Sequence, residues 1–250
     1  MNSHPMKPDR VTILDIPFDK VTLKQALQII LEKLSQPAQK PFFVATPNPE
    51  MLLEAEKNSH FKEILQKTDL NIPDGTGIIW ASKRQRNPLP ERVTGTDLMQ
   101  TLCKNVTPKT RIFLLGGAAG VADKTKEVLQ TKCKAEIVGT CDHPAAPPHD
   151  KEIQQIINAA NPDLLFVAFG APKQELWLAR NLPHLQTVKV AIGVGGAFDF
   201  IAGIRKRAPA WMQKLGIEWL FRLLQQPTRI KRIWRATVIF PITFLLFRKN

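Results

Sequence analysis

Short, unbroken apolar runs alternate along this chain with longer stretches whose apolar positions recur every three or four residues. The strand-like runs are Val11–Ile16, Phe42–Ala45, Asp69–Ile72, Arg111–Leu115, Ala135–Gly139, Asp163–Phe169 and Val188–Val194. Between them lie helical patterns. Thr22, with Gln25 three residues on, has capping-box form, and Leu23, Ala26, Leu27, Ile30, Leu31 and Leu34 follow on one face. Asn48 is placed to cap a helix with Pro49 in its first turn. Thr96 and Asp150 read as further caps, and Pro172 as a helix start. Gly116-Gly117 turns one strand into a helix reaching about Lys132, and Cys141–His149, with three prolines, reads as a loop. Strands that are apolar throughout are buried on both faces. The pattern therefore predicts an α/β fold, a Rossmann-like, mostly parallel sheet with helices on both faces. Residues 1–204 form this body, and 205–250 form a basic, helical C-terminal appendage rich in tryptophan.

Charge sharpens that division. The net charge is +13, and the segment from Arg205 to Asn250 holds eleven Lys/Arg against one acid, Glu218. A basic tail on a nearly neutral body points to an anionic partner at one end of the molecule: nucleic acid, anionic lipid or a diphosphate. Within the tail, Ile233–Phe247 is apolar apart from Arg235 and two threonines. It falls short of the roughly 20 apolar residues that span a bilayer, and Pro241 interrupts it. Cations on both sides, including Arg248 and Lys249, suit an element lying in a membrane interface; a helix packed on protein is the alternative. The polar Met1–Arg10 segment has no apolar h-region, so no signal peptide is expected. Cys103, Cys133 and Cys141 form no paired spacing, which argues against a disulfide scaffold or a cysteine zinc site. The expected location is cytoplasmic, peripheral on the inner face of the cell membrane.

In such a sheet, ligands bind beyond the carboxyl ends of the strands. Five polar or glycine-rich turns fall there: Thr46–Glu50, Pro73–Gly77, Gly116–Gly120, Gly170–Glu175 and Gly193–Gly196. Gly116 and Gly117 could let a phosphate approach the backbone, or simply make a tight turn. Asp74, at a strand end, is a candidate general base or else a helix cap. Arg92 could hold a phosphate bidentately or pair with a surface acid. Lys173 and Gln174 occupy the first turn of a helix, where lysine opposes the helix dipole. The five histidines are scattered, and there is no H-E-x-x-H, no G-x-S-x-G and no D-x-D triplet.

Seven stretches in order resemble the WecG/TagA/CpsF family of bacterial glycosyltransferases (glycosyltransferase family 26). They are Ala45–Glu50, Ile72–Gly77, Arg92–Asp97, Phe113–Gly117, Phe169–Glu175, Gly193–Asp199 running on to Arg207–Trp211, and Gly216–Leu224. The likeness spans about Val11 to Arg235; Val238–Phe247 fits it poorly. It implies transfer of N-acetylmannosamine, or a related hexose, from a UDP-sugar to a polyprenyl-diphosphate-linked saccharide during cell-surface polymer synthesis. It implies an inverting reaction without a metal or other cofactor, and Asp74 as the base. Thr46, Asn48, Arg92 and Gln174 correspond to substrate contacts. An appendage closes over the site and docks on the membrane, its arginines matching Arg222, Arg229 and Arg232. Those arginines would neutralise the departing diphosphate as a metal does elsewhere.

Two rival readings fit the sequence less well. A dinucleotide-dependent enzyme on a similar sheet would carry G-x-G-x-x-G, which is missing. A nucleic-acid-binding protein using the basic tail would leave the strand-end clusters unexplained, so no nucleic-acid partner is expected. The anticipated partners are the UDP-sugar, the polyprenyl-diphosphate acceptor and an anionic membrane surface; a homo-oligomer is left open.

Overall fold

The computed structural model describes residues 8–37 and 40–247. Arg248 and Lys249, the cations placed after the apolar run, lie outside the described residues. Six strands form one parallel sheet: β3 (Phe42–Ala45), β4 (Leu70–Asn71), β5 (Arg111–Gly116), β6 (Glu136–Cys141), β7 (Leu164–Ala168) and β8 (Val190–Gly193), in the order β4-β3-β8-β7-β5-β6. The Val11–Ile16 run does not join that sheet. It belongs to a separate antiparallel hairpin of β1 (Arg10–Ile13) and β2 (Ile16–Asp19). Leu14 and Asp15, at φ 48° and 61°, make its two-residue turn; two consecutive left-handed residues match the twist of paired strands.

Successive strand residues point to opposite faces, and both faces are buried. Phe43, Phe113, Leu165 and Ala191 face one core. Val44, Ile112, Phe166 and Ile192 face the other. On the first side pack the hairpin, α2 (Pro49–Ala55), α3 (Ser59–Lys67), α4 (Thr76–Arg84), α7 (Asp150–Ala160) and α8 (Lys173–Asn181). On the second pack α1 (Leu23–Ser35), α5 (Gly95–Asn105), α6 (Val121–Gln130) and α9 (Ala197–Ile201).

The caps largely follow the chemistry of their residues. Thr22 and Gln25 complete a capping box, and the Asn48 side chain accepts from the Met51 N–H at 3.1 Å. Two caps shift. Thr94, not Thr96, caps α5, its hydroxyl accepting from the Asp97 N–H at 3.1 Å. His149 stands at the N-cap of α7, because the Asp150 carboxylate is drawn to Arg180 instead of to the backbone.

The appendage is a string of short helices: α10 (Ala210–Lys214), α11 (Glu218–Gln225), α12 (Ile230–Trp234), a π turn (Arg235–Ile239) and α13 (Phe240–Phe247). Pro241 does not break the path. The π turn just before it lets the Phe240 N–H reach the Arg235 carbonyl, so the helix passes the proline. Phe240 and Phe244 are buried in the body's core, each worth about 1.5–3 kcal/mol. Trp80 meets Phe244 edge-on at 5.6 Å. Gly77 makes this docking fit, since a Cβ there would lie 2.8 Å from the Pro49 ring and 3.4 Å from Phe240. Arg232 binds Glu50 at 2.7 Å and Arg235 reaches Glu54 at 3.4 Å, both across to α2. Other apolar residues of the appendage stay exposed, with Trp211, Leu224, Trp234 and Leu246 all more than half accessible. Among the described residues no helix is long and apolar enough to cross a membrane.

Candidate active site

The carboxyl ends of all six parallel strands open into one cavity of about 520 Å³, roofed by the appendage. β3 delivers Thr46 and Asn48, β4 delivers Asp74, and β5 delivers Gly117 and Ala118. β6 leads to Pro144 and Ala145, β7 to Phe169, Gly170, Ala171, Lys173 and Gln174, and β8 to Val194–Phe200. From above come Arg205, Arg222, Arg229 and Arg232. A second cavity of about 160 Å³ adjoins the first, sharing Asp74, Arg222, Arg229 and Arg232 and adding Arg92, Glu218 and Trp219.

Asp74 is held by its backbone rather than its side chain. Its N–H donates to the Pro47 carbonyl at 3.0 Å, and the Pro73 carbonyl accepts from Val93 at 2.9 Å. Gly75, not Asp74, is the N-cap of α4, with a φ of 102° that disfavours any side chain. The Asp74 carboxylate makes no hydrogen bond among the described residues, although Arg222 and Arg92 face it. Burial pushes its pKa up to about 6, against the opposing pull of those two guanidiniums and with a push from Glu218 and Asp97. A carboxylate reachable from the cavity, free of partners and poised near neutrality can accept a proton.

Glu218, the one acid of the basic tail, organises the cations. It is 6% exposed and receives Arg222 at 2.6 Å and Arg92 at 3.5 Å. Arg92 therefore pairs with a buried acid of the appendage and lines the smaller cavity, not the larger. Arg222 also lies over the Phe200 ring at 5.1 Å. Arg205 is tied to Asp199 at 3.0 Å, and Arg207 grips Asp97 with both terminal nitrogens. The Arg229 guanidinium has no such partner among the described residues. Burial, then repulsion from Arg232, Arg222 and Arg205, lower its pKa to about 10. Crowded guanidiniums of this kind are relieved by an anion with several oxygens, and a diphosphate is such an anion.

On the far wall, Thr46 donates to the Gly193 carbonyl at 3.1 Å and the Gly195 N–H donates to Gln174 Oε1 at 3.0 Å. Gln174 Nε2 in turn donates to the buried Glu175 at 2.7 Å.

The structure thus brings Thr46, Asn48, Asp74, Gly117, Gln174, Arg222, Arg229 and Arg232 to one cavity, with Arg92 next door. Gly116 lines neither. It sits beneath Phe169, and its φ of 94° serves the turn. The amide at the start of α6 is also occupied, because the Gly120 N–H donates to Asp142 at 3.0 Å. Two of the scattered histidines do meet: His143, His149 and Glu152 form the one cluster, among the described residues, with metal-ligand atoms in mutual reach. None of the three lines the cavity. Sequence reasoning missed Glu218, Glu175 and the Arg207–Asp97 pair. Glu218 had a signal, a single acid among eleven cations; Glu175 had none beyond its place in a strand-end turn.

A family profile described as "Glycosyl transferase WecG/TagA/CpsF family" matches residues 11–250. The chain is 36% identical over 201 residues to the N-acetylglucosaminyldiphosphoundecaprenol N-acetyl-beta-D-mannosaminyltransferase of Bacillus spizizenii W23, covering 80% of this chain and 76% of that one. It is 32% identical over 225 residues to the protein of the same name from Staphylococcus aureus MRSA252, covering 90% and 88%.

Proposed function

This chain belongs to the WecG/TagA/CpsF family of glycosyltransferases, and on that premise we propose that it moves N-acetylmannosamine, or a related hexose, from a UDP-sugar to a polyprenyl-diphosphate-linked saccharide. The relatives' names specify an N-acetylmannosaminyl group and an N-acetylglucosaminyl-diphosphoundecaprenol acceptor. The observation that carries the reading is the Asp74 carboxylate, without a hydrogen bond among the described residues, facing an arginine cluster whose Arg229 has no ion pair among them.

The mechanism is one in-line displacement. The acceptor hydroxyl attacks the anomeric carbon from the face opposite the nucleotide, so configuration inverts. Asp74 takes the hydroxyl proton as the new C–O bond forms. The bond from the anomeric carbon to the phosphate oxygen breaks, and its electron pair leaves with UDP. Arg222, Arg229 and Arg232 meet the growing charge, in the role a metal ion has elsewhere. Thr46, Asn48 and Gln174 line the same pocket.

The acceptor's lipid calls for a membrane surface. The exposed apolar residues of the appendage, Trp211 and Trp234 among them, together with the exposed Lys206 and Lys231, suit the interface of an anionic bilayer. Phe240 and Phe244 are already buried in protein, so the residues offered to lipid are Ile239, Ile242, Leu245, Leu246 and Phe247 rather than the whole apolar run. The protein then works peripherally, at the membrane face that holds the nucleotide sugar.

The test is incubation with a panel of UDP-hexoses and a short-chain polyprenyl-diphosphate-GlcNAc, with the product read by mass and by anomeric coupling in NMR. Transfer from a UDP-N-acetylhexosamine, with inversion, is expected. No transfer from any UDP-sugar would overturn the proposal.

A further inference from the structure

Gln174 is doubly committed. Its Nε2 donates to Glu175 and its Oε1 accepts from Gly195. An amide can be turned end for end with little change in shape, so something must set its orientation. Glu175 is fully buried, and its Oε1 is only an acceptor toward Gln174; its Oε2 has no hydrogen-bond partner among the described residues. The fit around the pair is tight. A Cβ on Gly193 would lie 2.6 Å from Gln174 Nε2 and 3.2 Å from Glu175 Oε1, so this wall of the cavity is moulded on the two side chains.

We propose that Glu175 is a positioning residue: by accepting from Gln174 Nε2 it fixes the Gln174 amide so that Oε1 holds the Gly195 N–H, which sets the Gly193–Gly196 turn at the cavity wall. Without Glu175 the amide is free to turn over, and Nε2 would then face the Gly195 N–H, donor against donor. The turn would lose its tether although no residue touching the ligand had changed. Burial pushes the Glu175 pKa up to about 7. A neutral side chain at this position is therefore compatible with the brace, and glutamine is its conservative replacement. The link to catalysis rests on the function proposed above; the brace itself does not.

The experiment compares wild type, Glu175→Gln and Glu175→Met. Methionine keeps the volume and helix preference but removes the acceptor. Hydrogen exchange over the Gly193–Gly196 turn reads the brace directly, and UDP affinity by calorimetry reads its consequence. Glu175→Met is expected to speed exchange in the turn and weaken UDP binding by about tenfold, the cost of one buried hydrogen bond left unmade. Glu175→Gln should match wild type in both. Unchanged exchange in Glu175→Met overturns the brace whatever the enzyme's activity. Faster exchange with unchanged UDP affinity overturns its service to the site. Should Glu175→Met fail to fold, Glu175→Gln decides alone, wild-type behaviour supporting the proposal and a tenfold loss overturning it. Wild type that binds no UDP would sink the proposed function, while the exchange measurement still judges the brace.

Discussion

Arg222 reaches Glu218 at 2.6 Å, one helical turn back along α11, and this contact fixes a guanidinium of the appendage in front of Asp74. The same carboxylate, 3.5 Å from Arg92, joins the appendage to the body. An acid buried between two cations, next to a second carboxyl group, Asp74, is a device for spacing charges. Its removal leaves the cations uncompensated, which is the expensive way to break a buried pair.

Glu218→Gln should therefore lower kcat/KM by about tenfold or more, the effect of losing one charge-assisted hydrogen bond. It should also move the acid limb of the pH profile down. Glu218 raises the Asp74 pKa, and Arg222 and Arg92 lower it, so neutralising Glu218 acts in one direction only. A limb that stays in place would show that Glu218 does not act on Asp74.

Asp74→Asn should lower turnover by about 10²–10⁴-fold and leave UDP affinity near wild type. In the unaltered enzyme, kcat/KM should rise with pH through about 6, the value to which burial lifts Asp74. Stability should move the other way. A carboxyl group with a raised folded-state pKa favours the fold below its ordinary value of 3.8, and that contribution fades as pH climbs through about 6. Thermal melting at pH 8 should show Asp74→Asn as stable as wild type or more so. Near-normal turnover in this variant would remove Asp74 from the chemistry.

Chelation should leave turnover intact. The cavity's other carboxylates are engaged, Glu50 by Arg232 and Asp199 by Arg205, so among the described residues Asp74 has no free carboxylate partner to share a divalent ion. The arginines already supply positive charge where UDP would leave. Assays in EDTA, with and without added Mg²⁺ or Mn²⁺, check this; full loss restored by metal would contradict it.

What the sequence made legible follows from the range of the interactions involved. Strands buried on both faces announce themselves as unbroken apolar runs, so the parallel sheet and its rim could be read directly. The hairpin could not, because Val11–Ile16 looks the same whether its partner is β2 or the main sheet; only pairing at a distance decides. The caps at Thr94 and His149 lie one or two residues from the positions the sequence pattern predicts, because neighbouring hydroxyls and acids compete locally and the winner depends on Arg180 and Asp97. Glu175 was invisible for a deeper reason: its neighbour Gln174 bonds Gly195, 21 residues on, and no local pattern encodes that contact.

The last prediction separates the work of two neighbouring arginines. Arg232 is spoken for by Glu50 at 2.7 Å, which latches the appendage to α2, one residue beyond Pro49. Arg229 has no ion partner among the described residues and is held among like charges, with its pKa brought down to about 10. Removing a cation that is repelled in the free protein should relieve strain, whereas removing one that latches two elements should loosen them. Arg229→Gln should therefore melt at or above the wild-type temperature yet lose turnover on a soluble acceptor analogue by about tenfold or more, since a preorganised charge at a leaving group contributes on the order of 10²-fold or more. Arg232→Gln should melt lower, and part of its loss should return when Glu50→Gln is added, because the double variant leaves no unpaired acid at the latch. Binding to anionic liposomes should fall by little in Arg229→Gln, each cation near such a surface being worth about 1 kcal/mol, while the exposed apolar side of α13 is untouched. If Arg229→Gln instead keeps full turnover on the soluble acceptor and loses only the liposomes, Arg229 is a lipid contact, and the departing diphosphate must be met by Arg222 with Arg92 behind it.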